Sequence, residues 1–339
     1  MAKKQLTLEE KINNALVPEE QLYKVPDNWC WVRLGSVSDI ILGQSPKRDD
    51  ITEDEGFTPL ISGWADLANN SISVKRYAKV VTRLSQAGDV IISTKTNIGM
   101  PVIADGEYCL GRGVSAIRSG VMDKDYTRLL LLHFEDYLYE SASESSSGQV
   151  TGKTLQNMPI PFPPLSEQKR IVAAIGTMCS DLDRAEAKVQ GVLDGAEQRR
   201  KTLIYGGITG KLTSYWRKVK GIGDDSWSLK SLSSKDVYES FLNWFDKLGY
   251  VRYDADTKEM IDVQARIPSL SEQQEINSVL RNLLNKEEKI TAACEETLDS
   301  IGDIRQAILL KAFSGKLGTN DPTEASSLDF LKEKFQEQD

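Results

Sequence analysis

Two stretches of the chain share one rhythm of apolar positions. Ile171, Ile175, Met178, Leu182, Ala185, Val189, Val192, Ala196 and Leu203 follow by steps of four and three, with Arg199 in the one position skipped. Ile276, Leu280, Leu283, Ile290, Cys294, Ile301, Ile304 and Ile308 keep the same register, interrupted by Glu287 and Thr297. A 3.5-residue spacing is the seam of a left-handed coiled coil, so each stretch predicts one helix of ~40 residues and ~60 Å. The openings match as well: Pro163-Pro164-Leu165-Ser166-Glu167-Gln168 recurs as Pro268-Ser269-Leu270-Ser271-Glu272-Gln273, displaced by 105 residues. Without a gap, that displacement also carries Gly210-Lys211-Leu212 onto Gly315-Lys316-Leu317. This is a duplication, and two matched rods in one chain predict an intramolecular pair. Ser166 and Ser271 are the expected N-caps, Ser271 forming a capping box with Gln274; Gly206-Gly207 and Ser314-Gly315 are the expected ends.

A weaker repeat precedes each rod. Asp27-Asn28-Trp29 through Leu34 and Asp225-Ser226-Trp227 through Leu232 share the Asp, the Trp and the Leu. Trp29 to Leu165 leaves room for a globular domain, whereas Trp227 to Leu270 holds little more than a short helix, near Asp236 to Leu248. The expected organisation is an extension (1–25), a domain (26–160), a helix (161–212), a linker with a domain remnant (213–269), a second helix (270–318) and a tail (319–339).

Within 26–160, β-branched runs predict strands at Val37–Leu42, Thr58–Ile61, Val90–Ser93, Val102–Ala104 and Val114–Ile117, and a helix over Asp125–Ser141 that holds His133. The fold class is α+β, a β-rich domain plus two long helices. Loops rich in hydrogen-bonding residues separate the strands. They supply Gln44, Ser45, Lys47 and Arg48; Ser62 and Trp64; Lys95, Thr96 and Asn97; Arg112; and Ser146, Gln149, Thr151 and Lys153. Gln, Asn and Arg can read base edges, while Lys, Ser and Thr suit phosphates. Taken singly, each loop is an ordinary solvated turn.

The net charge of -8 argues against nucleic acid until the charge is located. Residues 161–220 carry 11 basic and 6 acidic groups, whereas residues 26–160 carry 13 and 17. One histidine and four dispersed cysteines argue against a zinc site and against Ser-His or Cys-His catalysis, and imply free thiols in a reducing cytoplasm. The longest apolar run, Leu129 to Leu132, is far short of the ~20 residues that span a bilayer. Gly148-Gln149-Val150-Thr151-Gly152-Lys153-Thr154 has three residues between its glycines where a P-loop needs four. Phe162-Pro163-Pro164-Leu165 has both ends wrong for an amino-methyltransferase tetrapeptide. No enzyme is expected.

Leu16-Val17-Pro18-Glu19-Glu20, Val25-Pro26-Asp27-Asn28-Trp29, the stretch Pro159 to Gln168 that opens a long helix, and Gly206 to Thr213 followed by Tyr215-Trp216-Arg217 together resemble the specificity subunit of type I restriction–modification systems. The resemblance implies a β-rich target-recognition domain and two long helices packed as an antiparallel coiled coil. It implies a non-catalytic chain that binds double-stranded DNA and type I methyltransferase subunits, with S-adenosylmethionine on the partner and a restriction subunit able to join. The chain departs from that family by lacking room for a second recognition domain. One half-site per chain, completed by a second copy, is the resulting expectation. The alternative is a coiled-coil interaction or regulatory protein that binds methyltransferase or another protein without conferring DNA specificity.

Overall fold

The computed structural model describes residues 7–18, 22–68, 71–223, 228–231 and 264–337. These fall into two units, one of Met1–Asp183 with Gly302–Asp339 and the other of Arg184–Ile301. The expected helix near Asp236 to Leu248 lies outside the described residues.

In the first unit the strands are β1 Cys30–Arg33, β2 Asp39–Leu42, β3 Ile51–Thr52, β4 Thr58–Ile61, β5 Leu67–Ala68, β6 Ser71–Ile72, β7 Tyr77–Ala78, β8 Val90–Ser93, β9 Gly99–Ile103, β10 Cys109–Leu110, β11 Val114–Arg118 and β12 Pro159–Phe162. One sheet runs β2-β11-β8-β9 and another β10-β4-β7-β3, while β1 pairs with β12 and β5 with β6. The runs of Val and Ile have a direct cause. Ile91, Ala116 and Val114 pack with Ile61 and Leu110 of the second sheet, whereas Val90, Ile92 and Ile117 pack into the cluster holding Tyr126, Leu130 and Phe162. The central strands β11 and β8, buried on both faces, have no polar side for alternation to show.

Several expectations are corrected. Leu34–Val37 is a helical turn, closed by the Ser38 hydroxyl donating to the Leu34 carbonyl at 2.7 Å, so β2 starts only at Asp39. The single helix over Asp125–Ser141 is two, Lys124–His133 and Glu135–Ser143, parted at Phe134 with φ -95° and ψ 21°. β1 and β12 were not expected, because Pro159 and Pro161 argue against a strand. The prolines pair with Arg33 and Trp31, so the hydrogen-bonding positions fall on Ile160 and Phe162, in line with Leu34 donating to the Met158 carbonyl at 2.9 Å.

The first long helix, Leu165–Asp194, runs antiparallel to the second, Leu270–Phe313, within this unit. Asp183 meets Arg305 at 2.7 Å, and Ile171 and Ile175 share a core with Leu309, Ala312 and Phe313. Glu167 and Gln168 are fully buried at the helix opening. The Thr319 hydroxyl donates to Glu167 Oε1 at 2.8 Å, and Arg170 joins Glu167 at 3.1 Å while holding Glu324 at 2.8 Å and the Thr319 carbonyl at 2.9 Å. Gln168 donates to the Pro163 carbonyl at 3.0 Å and accepts from the Asp123 amide at 2.8 Å, tying the helix to the domain.

The second unit repeats this construction. Glu272 is buried, accepting from the Thr213 hydroxyl at 2.7 Å and from Arg217 at 2.5 Å, while Arg217 also donates to the Gly210 carbonyl at 3.0 Å. Gln273 donates to the Pro268 carbonyl at 2.9 Å, one repeat on from Gln168 and Pro163. A Cβ on Gly207 would lie 2.6 Å from Leu280 Cδ1 and 3.3 Å from Ile276, so the helices approach closely here, and because Arg199 meets Glu287 they run antiparallel. The first rod is not continuous: it breaks at Gly195 and resumes as Ala196–Ile208. Arg199 bridges that break, donating to the Val192 carbonyl at 2.7 Å and to Glu287 Oε1 at 2.9 Å. Two of the three residues that interrupt the apolar seams, Arg199 and Glu287, therefore pair with each other. A ribbon of β13 (Ser228–Ser231) and β14 (Gln264–Ile267) pairs Ser228 with Ile267, as Cys30 pairs with Phe162 in the first unit.

Ser166 and Ser271 lie inside the helices, which start one residue earlier, at Leu165 and Leu270. Ser269 instead accepts from the Glu272 amide at 3.4 Å. The opening Glu must turn inward to reach its hydroxyl donor, and that sets the first turn.

His133 stacks on Phe313 with centroids 5.0 Å apart and meets Phe134 edge-on, and burial lowers its pKa to about 4 against opposition from Asp136. The folded state keeps it neutral while the unfolded chain protonates near pH 6.5, so its contribution is present above that pH and is lost as pH falls toward 4. His133→Phe should flatten the fall in melting temperature between pH 6.5 and 4 relative to the unsubstituted chain; parallel curves would contradict the assignment.

Candidate nucleic-acid interface

Gly111-Arg112-Gly113, in the turn between β10 and β11, is where the candidate loops meet. Gly111 donates to the Ile61 carbonyl at 2.7 Å, the Gln44 amide to the Leu110 carbonyl at 2.8 Å, and the Thr94 amide to the Gly113 carbonyl at 2.9 Å. The Arg112 amide donates to the Ser45 hydroxyl at 3.1 Å. Val150 in turn donates to the Thr94 carbonyl at 2.8 Å, which brings in the fifth loop. Glycine is required at the hub, since a Cβ on Gly111 would sit 2.8 Å from the Ile61 carbonyl oxygen and one on Gly43 2.0 Å from the Gly111 oxygen. Backbone cannot yield as a side-chain tip would.

The hub holds loops from both sheets and leaves their side chains outside. Gln44, Ser45, Lys47, Arg48, Trp64, Lys95, Thr96, Asn97, Arg112, Ser146 and Lys153 are exposed, and Ser62, Gln149 and Thr151 partly so. Not every hydroxyl is free. Ser45 holds the Arg112 backbone, and Thr151 caps the helix Gly152–Asn157 by accepting from Thr154 at 3.1 Å. The Ser62 amide donates to Asp66 at 2.7 Å, fixing the turn that presents Trp64. Asn97 has φ 45° and Met100 φ 47°, a left-handed backbone that costs a non-glycine residue free energy and persists only where its surroundings impose it.

Exposed apolar side chains gather at the same loops. Leu42 is 47% exposed, Trp64 41%, Val80 54% and Val81 40%. The last two belong to residues 75–83, which was not among the candidate loops. The Thr82 hydroxyl donates to the Gln44 carbonyl, and Leu110 donates to the Arg83 carbonyl at 2.8 Å, so this segment borders the hub. Its signal was available, with Lys75, Arg76, Lys79 and Arg83 in nine residues that include no acid.

Among the described residues no group of His, Cys, Asp and Glu could hold a metal ion, and no helix is long and apolar enough to cross a membrane. The β-rich domain holds these loops at their bases and leaves their tips exposed. Residues 26–188 match the family described as type I restriction modification DNA specificity domain. The MjaX specificity subunit of Methanocaldococcus jannaschii is 26% identical over 200 residues, which is 57% of this chain and 46% of that relative. The type I restriction enzyme EcoAI specificity subunit of Escherichia coli is 28% identical over 207 residues, 55% of this chain and 34% of that relative. The chain thus spans less than half the length of these relatives. A crystal structure of the HsdS subunit from Thermoanaerobacter tengcongensis is 21% identical with a TM-score of 0.42, covering 91% of this chain and 50% of that one.

Gly111→Val should unfold or strongly destabilise the chain by forcing two strand ends apart. Arg112→Ala should leave the melting curve unchanged to within ~0.5 kcal/mol, because its side chain is exposed and only its backbone serves the hub. Equal melting losses in the two variants would contradict the division between scaffold and tip.

Proposed function

We propose that this chain is a non-catalytic recognition subunit that reads double-stranded DNA and directs type I adenine methyltransferase subunits to the sequence it reads. The observation that carries the reading is the convergence of four other polar loops, one of them by way of Thr94, on the turn Gly111-Arg112-Gly113, inside the segment that matches the DNA specificity family. Loops fixed at their bases hold Arg112, Gln44 and Asn97 in a set geometry, and each bidentate side chain–base pair supplies ~1–3 kcal/mol of discrimination. A restriction subunit joins the same assembly, and the site of action is the cytoplasm. The chain supplies no cofactor chemistry; S-adenosylmethionine belongs to the methyltransferase, which takes the target adenine out of the stack.

The proposed organisation keeps the limits read from the sequence, a recognition domain 26–160, helical segments 161–212 and 270–318, and a reduced segment 213–269 between them. Residues 34–158 separate the strands of the first ribbon, and only 232–263 separate those of the second. One chain therefore carries one reading head and reads one half-site, and two chains complete a bipartite site.

Methylome sequencing of cells with and without the gene, alongside the methyltransferase, tests this reading. Adenine methylation at a defined motif should require the gene, and Arg112→Ala should relax or shift that motif while methyltransferase still co-purifies. An unchanged methylome on deletion would overturn the proposal.

A further inference from the structure

Resting on that reading, we propose that residues 75–83 form a phosphate-binding strip beside the base-reading loops, taking the sugar–phosphate backbone of the DNA duplex that those loops read. Lys75, Arg76, Lys79 and Arg83 are all exposed, and among the described residues none of them is in an ion pair. They hold four of the 13 basic groups of a domain whose balance is acidic, concentrated where no acid intervenes.

The strip is held by three backbone hydrogen bonds and one from a side chain. Arg76 accepts from Leu60 at 2.8 Å, Lys79 donates to the Asp50 carbonyl at 2.8 Å, Thr82 donates to the Gln44 carbonyl, and Arg83 accepts from Leu110 at 2.8 Å. Two of these partners, Gln44 and Leu110, are themselves joined at the hub. Cations on a fixed backbone next to reading loops suit the division of labour in DNA recognition, where phosphate contacts set register and base contacts set sequence. Exposed Val80 and Val81 lie between Lys79 and Arg83, where water would otherwise cover apolar surface. A duplex lying against Lys79 and Arg83 would cover both valines.

An acidic run, Asp49, Asp50, Glu53, Asp54 and Glu55, lies on the neighbouring strand segment, since β3 pairs with β7. Two roles for the strip can therefore be told apart by experiment: binding phosphate, or balancing these carboxylates. Each phosphate neutralised by a cation contributes about 0.9 to the slope of log Kobs against log salt.

The experiment is fluorescence anisotropy of a random-sequence duplex with the full chain between 50 and 200 mM salt, comparing Lys79→Ala/Arg83→Ala with Lys332→Ala/Lys334→Ala on the C-terminal helix Ser327–Glu337, and melting curves for both. The strip variant should lose affinity several-fold at 50 mM salt and flatten the slope by about 1–2, with its melting temperature unchanged. The C-terminal variant should match the unsubstituted chain. A strip variant with an unaltered slope overturns the proposal, and a lowered melting temperature with that unaltered slope assigns the strip to balancing Asp49–Glu55. A full chain that binds no duplex at 50 mM salt overturns the DNA-reading function and the strip together.

Discussion

A buried carboxylate needs donors, and the described structure is organised around that requirement twice. Glu167 and Glu272 are each withdrawn from water at the first turn of a long helix, where an unpaired charge would cost several kcal/mol. Each finds a threonine hydroxyl and an arginine, and each threonine follows the Gly-Lys-Leu that closes the other helix. The opening of one helix is thereby tied to the end of its partner. Antiparallel pairing follows from where the donors lie, and the apolar seam stabilises it.

The duplication preserves this chemistry without preserving the residues that perform it. Arg170 comes from the opening helix itself, and the aligned position in the second copy is Glu275. Arg217 comes instead from Ser214–Lys220, after the closing Gly-Lys-Leu, and its aligned position is Pro322. The two arginines reach equivalent places by different routes, each also bonding a carbonyl of the closing segment, that of Thr319 or of Gly210. The threonines differ by one place as well: Thr213 directly follows Leu212, whereas Gly318 intervenes before Thr319. Two junctions that converge despite such changes indicate that the buried carboxylate, more than any single partner, is what the geometry must satisfy.

Much of this was legible in the chain. The apolar rhythm located both long helices, and β4 and β8 fell at Thr58–Ile61 and Val90–Ser93 as read. Arg199 and Glu287 stood out as interruptions, yet nothing local says that two breaks in different copies will meet. The break at Gly195 was hidden because Val192 and Ala196 keep the heptad register across it. Two-residue strands such as β3 and β7 are too short for a period to emerge, so the second sheet was largely missed. The polar loops were named from composition. Their convergence is a property of backbone hydrogen bonds among Gly111, Ile61, Thr94 and Gln44, which composition does not encode.

The most direct test of the account is a double-mutant cycle in the second unit, with Thr213→Val, Glu272→Gln and the pair compared by urea unfolding of the full chain. If the buried carboxylate ties one helix's opening to the other's end, the two changes should be strongly non-additive, with a coupling energy of about 1–3 kcal/mol. Additive losses, to within about 0.5 kcal/mol, would mean that the seam alone holds the helices and that the junction merely accompanies them.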